Sequence, residues 1–143
     1  GILGMAQVVL DTSVIAKLFL KEEGSGTATA FKDSYIKGKI DIVMPSLVKY
    51  ELMNVLKYKG FTKREIIEAL EVIRDYGFLI LELEDAVINR TAEISVDYDI
   101  SAYDATFIAF AQDVGAMLYT ADRKLLAKVR QVKFVKHFSE FVE

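Results

Sequence analysis

The sequence predicts an α/β domain, a doubly wound parallel β-sheet flanked by helices. Short apolar runs alternate along the chain with longer segments of helical pattern, which is the order expected of consecutive β-α-β units. The apolar runs are continuous, as strands covered on both faces require. A length of 143 residues suits one domain, and one Pro with no Gly/Ser-rich linker indicates no internal boundary.

The first half of the chain is predicted to hold two strands and four helices. The polar segment Asp11–Ser13 stops the first apolar run and is typical of a helix start. Gly38 is expected to end a helix and Pro45 to open the next one. Thr62–Glu65 matches a capping box. These signals predict strands over Gln7–Leu10 and Asp41–Met44, and helices over Val14–Leu20, Ser25–Lys37, Pro45–Lys59 and Thr62–Tyr76.

The second half repeats the alternation of strand and helix. Gly77 and Gly115 each close a helical segment directly before an apolar run. Asp122 follows the next apolar run and precedes a short helical segment. The predicted strands are Phe78–Leu83, Ala116–Thr120 and Val132–Val135, and the predicted helices are Asp85–Tyr98, Ser101–Val114 and Arg123–Val129.

Composition excludes several classes of chemistry. The absence of Cys removes disulfides, thiolate catalysis, iron–sulfur clusters and Cys-based zinc sites, and the only His, His137, argues against His-rich metal sites. No stretch without Asp, Glu, Lys or Arg exceeds ten residues, which is too short for a membrane helix of about 20. We therefore expect a cytoplasmic protein with no membrane span. Residues 1–4, before Met5, are interpreted as a tag remnant, which leaves 5–143 as a single domain.

Four carboxylates are predicted to meet at one edge of the sheet. Ligands of open parallel sheets bind beyond the carboxyl ends of the strands. Asp11 ends the first predicted strand, Asp104 lies in the first turn of its helix, and Asp122 follows the fourth strand by two residues. Glu51 lies six residues past Pro45, about 9 Å into its helix. Oxygen ligands of this kind favour Mg²⁺ or Mn²⁺, whose natural chemistry is phosphoryl or phosphodiester transfer.

Each Asp also has a simpler interpretation as a helix cap. Asp11 and Asp122 precede helices, and Ser101 to Asp104 is itself a capping box by sequence. Glu51 differs, because no cation lies three or four positions from it on its helix. An unpartnered Glu on an apolar helix face is costly unless a cation meets it. The sequence leaves both interpretations of the three Asp residues open.

The four positions resemble those of the PIN-domain nucleases. The matching segments are Val9–Val14, Glu51, Tyr103–Ala105 and Leu118–Asp122. Their order and the chain length are similar to the small VapC-type toxin ribonucleases of toxin–antitoxin pairs. The resemblance covers Met5 to Val142 and is fairly specific only when the four segments are taken together.

The resemblance implies a ribonuclease that hydrolyses RNA with a metal-activated water. It implies that Mg²⁺ or Mn²⁺ is held by four side chains, Asp11, Glu51, Asp104 and Asp122. Ser13 and Thr120 resemble hydroxyls that orient these ligands, although a helix cap and a strand-end hydroxyl explain them as well. The resemblance also implies a homodimer and a small protein antitoxin as partners.

A basic segment follows the last carboxylate. Residues 123–137 contain six Lys or Arg and no acid, although the whole chain has a net charge of −3. Arg123 and Lys124, next to Asp122, are the candidates for RNA binding, and a solvated helix surface is the equal alternative. A receiver domain and a haloacid-type phosphatase fit less well, because their paired acids after the first strand are missing. A catalytically silent PIN-like module that binds RNA or protein remains the second hypothesis.

Overall fold

Five parallel strands form one sheet in the order β3-β2-β1-β4-β5 in the computed structural model, which describes residues 6–142. The tag remnant predicted at residues 1–4 lies outside the described residues. From β1 the chain moves outward in one direction through β2 and β3, and in the other through β4 and β5. Because such crossovers are right-handed, this reversal places helices on both faces of the sheet, and the predicted doubly wound fold is confirmed. The strands are β1 Ala6–Leu10, β2 Ile40–Pro45, β3 Leu79–Leu81, β4 Met117–Thr120 and β5 Val135–His137.

Within residues 6–142, seven α-helices and two short 3₁₀ turns flank the sheet. The predicted capping box at Thr62 forms in both directions and opens α4. Gly77 and Gly115 both adopt left-handed backbone at helix ends, as their positions in the sequence predict. The helices are α1 Thr12–Ile15, α2 Ser25–Ile36, α3 Leu47–Tyr58, α4 Lys63–Tyr76, α5 Asp85–Tyr98, α6 Ala102–Val114 and α7 Arg123–Lys128, and the 3₁₀ turns are Ala16–Leu18 and Phe138–Glu140.

The core lies around the three central strands. Val9, Ile42 and Leu118, one from each of β1, β2 and β4, have no exposed surface. These strands are apolar on both faces because helices cover both of them. No helix within residues 6–142 is both long enough and apolar enough to pass through a bilayer.

The point where the strand order reverses lies between β1 and β4. Leu10 pairs with Tyr119, and the Asp11 N–H donates to the Tyr119 carbonyl at 3.1 Å. The chain therefore leaves β1 and β4 side by side, at the carboxyl edge of the sheet. Crevices at such a reversal are where open α/β sheets bind ligands.

Four predicted elements have different bounds in the structure. The helix predicted to open at Pro45 begins at Leu47, because Pro45 is the last residue of β2. The helix predicted at Val14–Leu20 starts earlier, at Thr12, because Asp11 caps it, and it tightens into a 3₁₀ turn after Ile15. The strand predicted over Phe78–Leu83 shortens to three residues that pair with β2. The strand predicted over Val132–Val135 is wrong, because Val132 closes a turn with Val129 and the strand that pairs with β4 begins at Val135.

Candidate metal centre

Asp11 is a buried carboxylate at the end of β1. Its Oδ1 accepts hydrogen bonds from the Val14 N–H at 3.3 Å and from the Ser13 hydroxyl, so Asp11 caps α1. Both hydrogen bonds go to Oδ1, which leaves Oδ2 outside the cap. Burial raises the pKa of Asp11 to about 6, although the Ser13 and Thr120 hydroxyls and the Val14 N–H oppose the shift. A cap and a site residue are therefore compatible roles for this side chain.

Glu51 projects from the second turn of α3 toward the same edge. Its Oε1 accepts a hydrogen bond of 2.8 Å from the Thr12 hydroxyl. Burial raises the pKa of Glu51, the Thr12 hydrogen bond lowers it, and the charge of Asp104 raises it. The raised pKa means that the ionised form of Glu51 is disfavoured in the metal-free cleft.

Asp104 occupies the first turn of α6. Its N–H donates to the Ser101 hydroxyl at 3.0 Å, so Ser101 caps the helix. The return bond from the Asp104 carboxylate to the Ser101 N–H, which a complete capping box requires, does not form between these described residues. Burial, followed by the charge of Asp122, raises the pKa of Asp104. The cap interpretation therefore explains Ser101 but does not account for the carboxylate of Asp104.

Asp122 caps α7 beyond the end of β4. Its Oδ1 accepts from the Leu125 N–H at 3.0 Å, and its own N–H donates to the Thr120 hydroxyl at 3.0 Å. Unlike Asp11, Asp122 is exposed to solvent. The cap fixes the direction of this carboxylate.

Two hydroxyls join the ends of β1 and β4. The Ser13 hydroxyl donates to Asp11, accepts the Ala121 N–H at 3.0 Å, and lies 3.5 Å from the Thr120 hydroxyl. Thr120 has no exposed surface. Together Ser13 and Thr120 hold Asp11 and Asp122 in a set relative position.

All four carboxylates line one cleft of about 220 Å³. The charge of Asp104 raises the pKa of both Asp11 and Glu51, and that of Asp122 raises the pKa of Asp104. No Lys, Arg or His within residues 6–142 forms an ion pair with any of the four. The cleft is therefore a concentration of negative charge that the described chain does not neutralise. Its other lining residues are Thr12, Ser13, Asn54, Val55 and Phe107.

The donor set fits a hard divalent cation. Carboxylate oxygens with neighbouring hydroxyls are the ligands of Mg²⁺ and Mn²⁺, and such ions keep several waters instead of requiring a closed protein cage. Among residues 6–142, no three His, Asp or Glu side chains are already close enough to hold an ion. Like charges repel at short range, which favours such an open arrangement in the metal-free protein.

Sequence reasoning missed Thr12 and Asn54. Thr12 contacts Glu51 directly, and Asn54 lies one helical turn after Glu51 and lines the cleft. The spacing of Asn54 from Glu51 is a signal that was available in the sequence. Nothing in the sequence shows that the Thr12 hydroxyl faces α3, because that contact spans 39 positions.

The basic segment is divided by the fold. Arg123 lines a neighbouring cavity, and Lys124 is exposed on α7, so neither lines the carboxylate cleft. Lys128 donates to the Asp99 carbonyl at 2.7 Å and thus faces the turn between α5 and α6. The roles predicted for Arg123 and Lys124 remain predictions.

Comparisons with known proteins agree on one family. The family model described as the PIN domain matches residues 8–131. Ribonuclease VapC3 of Pyrobaculum aerophilum is 27% identical over 128 residues, which cover 85% of this chain and 94% of that protein. A chain of a toxin–antitoxin complex from Klebsiella pneumoniae superposes with a TM-score of 0.71 at 18% identity, covering 94% of this chain and 99% of that one. Mycobacterium tuberculosis VapC20, a toxin that cleaves the sarcin–ricin loop, superposes at 0.69 with 20% identity, covering 85% and 95%.

Proposed function

Since the chain belongs to the PIN-domain family, we propose that it is a Mg²⁺- or Mn²⁺-dependent endoribonuclease and the toxin of a toxin–antitoxin pair. The observation that carries the proposal is the cleft at the strand-order reversal, where four carboxylates gather without an ion-pair partner among the described residues. Structural stability alone does not favour such an arrangement, because the like charges raise one another's pKa. A divalent ion would relieve the repulsion.

The chain's residues have distinct roles in this proposal. Asp11, Glu51, Asp104 and Asp122 bind the metal and lose any remaining protons when they do so. Ser13 and Thr120 hold Asp11 and Asp122 in position through the hydrogen bonds described above. The chemistry supplied by a bound divalent ion is a lowered pKa of the attacking water and neutralisation of charge on the phosphodiester in the transition state.

The proposed substrate and partners follow from the relatives. Ribonuclease VapC3 and the sarcin–ricin-cleaving VapC20 support RNA as the substrate. The Klebsiella pneumoniae complex supports an antitoxin protein as a partner. We extend the proposal to a homodimer of single-domain chains, residues 5–143, that acts in the cytoplasm where its RNA substrate is found.

A catalytically silent PIN-like module is the competing function. It would keep the fold and bind RNA or protein without cleaving. The presence of all four carboxylates in one cleft favours the enzyme, because a binding module gains nothing from uncompensated negative charge facing a phosphodiester strand.

Cleavage of a labelled single-stranded RNA separates the two functions. We expect cleavage with Mg²⁺ or Mn²⁺ and none in excess EDTA. Asp104→Asn should abolish cleavage, whereas Asp113→Asn, an exposed Asp on the same helix outside the cleft, should cut at the wild-type rate. Cleavage that persists in EDTA, or equal rates for Asp104→Asn and wild type, would show that the carboxylate cleft is not the active site.

A further inference from the structure

A second cavity of about 500 Å³ adjoins the carboxylate cleft and includes two cationic side chains, Lys17 and Arg123, in its lining. Ala121 and Arg123 line this cavity, whereas Asp122, between them in the chain, lines the carboxylate cleft. The two spaces therefore lie on either side of one loop. Lys17, a second cation, and His137, a hydrogen-bond donor, also line this cavity.

His137, the only His in the chain, is fixed at the wall of this cavity. Its ring Nδ1 accepts the Ser139 N–H at 3.2 Å and lies 2.6 Å from the Ser139 hydroxyl. The backbone N–H of His137 donates to the Glu140 carboxylate at 3.1 Å. Because a backbone N–H can only donate, Nδ1 is an acceptor, and the neutral ring carries its proton on Nε2. The ring therefore offers Nε2 as a donor in a set orientation.

Arg123 supplies a charge that the described protein leaves available. It is exposed at the start of α7 and forms no ion pair with any residue from 6 to 142. Its guanidinium has five N–H donors in a planar fork that suits phosphate oxygens. Arg123 is thus the strongest anion-binding group on the cavity wall.

Lys17 adds a fixed charge that is partly compensated. Its Nζ lies 3.0 Å from Glu22, donates to the Glu23 carbonyl at 3.0 Å, and sits 5.5 Å from the centre of the Phe138 ring. Glu23 also lines the cavity, so the wall is not uniformly positive. The anion-binding side is therefore the one formed by Arg123 and His137.

We propose that this cavity is a phosphate subsite, in which Arg123 and His137 bind a phosphate of the RNA strand next to the scissile one. The inference rests on the proposed function, since it assumes that RNA enters the carboxylate cleft. A phosphodiester strand is repelled by four carboxylates except where a metal intervenes, so a cationic cavity one loop away stabilises the adjoining phosphate. The subsite would set the direction in which the strand crosses the cleft.

The surroundings of His137 give the subsite a pH dependence. Burial and the charges of Arg123 and Lys17 lower the pKa of His137, whereas Glu140 raises it. At neutral pH His137 therefore binds as a neutral donor. When the ring is protonated, Nδ1 gives up the bond from the Ser139 N–H and donates to the Ser139 hydroxyl, 2.6 Å away. A phosphate in the cavity stabilises this protonated ring, so we expect the contribution of His137 to RNA affinity to grow as the pH falls.

Fluorescence anisotropy with a labelled single-stranded RNA of about ten nucleotides tests the subsite. Because the carboxylate cleft repels RNA when no divalent ion is bound, the full-length protein is used with Ca²⁺ in place of Mg²⁺ or Mn²⁺, and recovery of intact RNA shows that binding is measured without cleavage. We expect Arg123→Ala to weaken binding about tenfold and to lower the salt slope of log K by about 0.7, the value for one phosphate contact on a single strand. His137→Ala should weaken binding several-fold, and more at pH 6 than at pH 8.

Lys133→Ala is the matched control, since Lys133 is an exposed cation of the same basic segment outside both cavities. Equal salt slopes for Arg123→Ala and Lys133→Ala, with no pH-dependent effect of His137→Ala, would overturn the subsite. Arg123→Gln removes the same charge with less loss of side-chain volume and should reproduce the effect.

Two further comparisons identify the source of the phosphate and separate this inference from the proposed function. The same RNA with and without a 5′-phosphate shows whether a terminal or an internal phosphate occupies the cavity, and a difference that disappears in Arg123→Ala supports the terminal one. Cleavage with Mn²⁺ is measured separately. A protein that never cleaves RNA but shows the Arg123 and His137 effects keeps the subsite and loses the nuclease, and the reverse result keeps the nuclease alone.

Discussion

The Thr12 hydroxyl donates a hydrogen bond to Oε1 of Glu51, with the two oxygens 2.8 Å apart. This bond joins the start of α1 to α3 across 39 positions. The hydrogen bond lowers the pKa of Glu51 against the effects of burial and of Asp104. It therefore keeps Glu51 closer to its ionised form, which is the form that binds metal. The Thr12 hydroxyl, which in the sequence belongs only to a predicted helix start, thus lowers the pKa of the candidate metal ligand Glu51.

Thr12→Val should weaken metal binding without unfolding the protein. Valine keeps the shape of the buried side chain but leaves Glu51 without its donor, so the pKa of Glu51 rises further and its orientation loosens. Loss of such an orienting contact typically costs about tenfold or more in metal affinity. The measurement is the Mn²⁺ concentration for half-maximal RNA cleavage.

Thr12→Ser is the matched control, because it restores the hydroxyl without the methyl group. Its Mn²⁺ requirement should lie close to that of the wild type. If valine and serine have the same effect, the hydroxyl is not what orients Glu51.

The candidate site was predictable where local pattern carries the information. Glu51 stood out because no cation lies within one helical turn, and the structure places it in the cleft with a raised pKa. Thr12 did not stand out, because its partner is set by the packing of α1 against α3. The capping interpretation of Asp11 and Asp122 is correct as far as it goes, since each caps a helix and also lines the cleft.

Metal-free stability should decrease as the pH rises from about 4 to about 6. Burial raises the pKa of Asp11 to about 6 from an ordinary 3.8, so the folded protein holds a proton in this window that the unfolded chain has released. Each increase in pH then favours the unfolded state, until Asp11 is ionised in both states. The raised pKa values of Glu51 and Asp104 act in the same direction. Urea unfolding in EDTA at pH 4.5, 5.5 and 6.5 measures the trend, and stability that rises over this range would contradict it.

Metal-dependent activity should show the opposite trend, because the ligands must lose their protons before they bind the ion. We expect the Mn²⁺-dependent rate to rise through about pH 6. Ser13→Ala removes the hydrogen bond that lowers the pKa of Asp11 most. The acidic limb of the pH–rate profile of this variant should therefore move to higher pH. Ser95→Ala, which loses a hydroxyl bonded to the Ile100 carbonyl away from the cleft, should leave the limb in place.

The accuracy of the strand predictions follows the position of each strand in the sheet. The predicted bounds of β1, β2 and β4 agree with the structure to within one residue at each end. These central strands are covered on both faces, so the buried residues of each strand form a short apolar run that marks it in the sequence. The strands with wrong bounds are the two edges, β3 and β5. An edge strand pairs on one side only, so its ends depend on its partner, and the apolar Val132 can serve a turn instead.

Two neighbouring glycines should respond oppositely to alanine. Gly24 has a φ of +86°, and a Cβ there would lie 2.6 Å from Cζ of Phe138. Gly26, inside α2, has no neighbouring atom within 4 Å of the same position. We expect Gly24→Ala to lower the free energy of unfolding by about 2 kcal/mol, from backbone strain and displacement of the ring. Gly26→Ala should raise it by about 0.5 kcal/mol, because alanine is the better helix former. Urea denaturation measures both, and equal signs would contradict the close approach of Gly24 to Phe138.

Asp104→Asn should raise the melting temperature of the metal-free protein. The charge of Asp104 raises the pKa of Asp11 and Glu51, and Asp122 raises that of Asp104, so removing this one charge relieves several repulsions. Because the cleft is open to water, we expect about 1 kcal/mol or less, or about 2–4 °C for a domain of this size. A carboxylate that served only the first turn of α6 would favour the helix dipole, so its loss would lower the melting temperature instead.

The shift in melting temperature that added Mn²⁺ causes tests whether the four carboxylates share one metal site. A metal that binds only the folded protein raises the midpoint in proportion to RT ln(1 + [Mn²⁺]/Kd), so the wild type should gain several degrees at saturation. Asp104→Asn should gain much less, because it lacks one ligand, and Asp113→Asn should behave as wild type in both conditions. The melting curves of the three proteins, each with and without Mn²⁺, therefore distinguish one metal centre from separate helix caps. If Mn²⁺ shifts Asp104→Asn as much as wild type, Asp104 is not a ligand of that centre, whatever its effect on the metal-free protein.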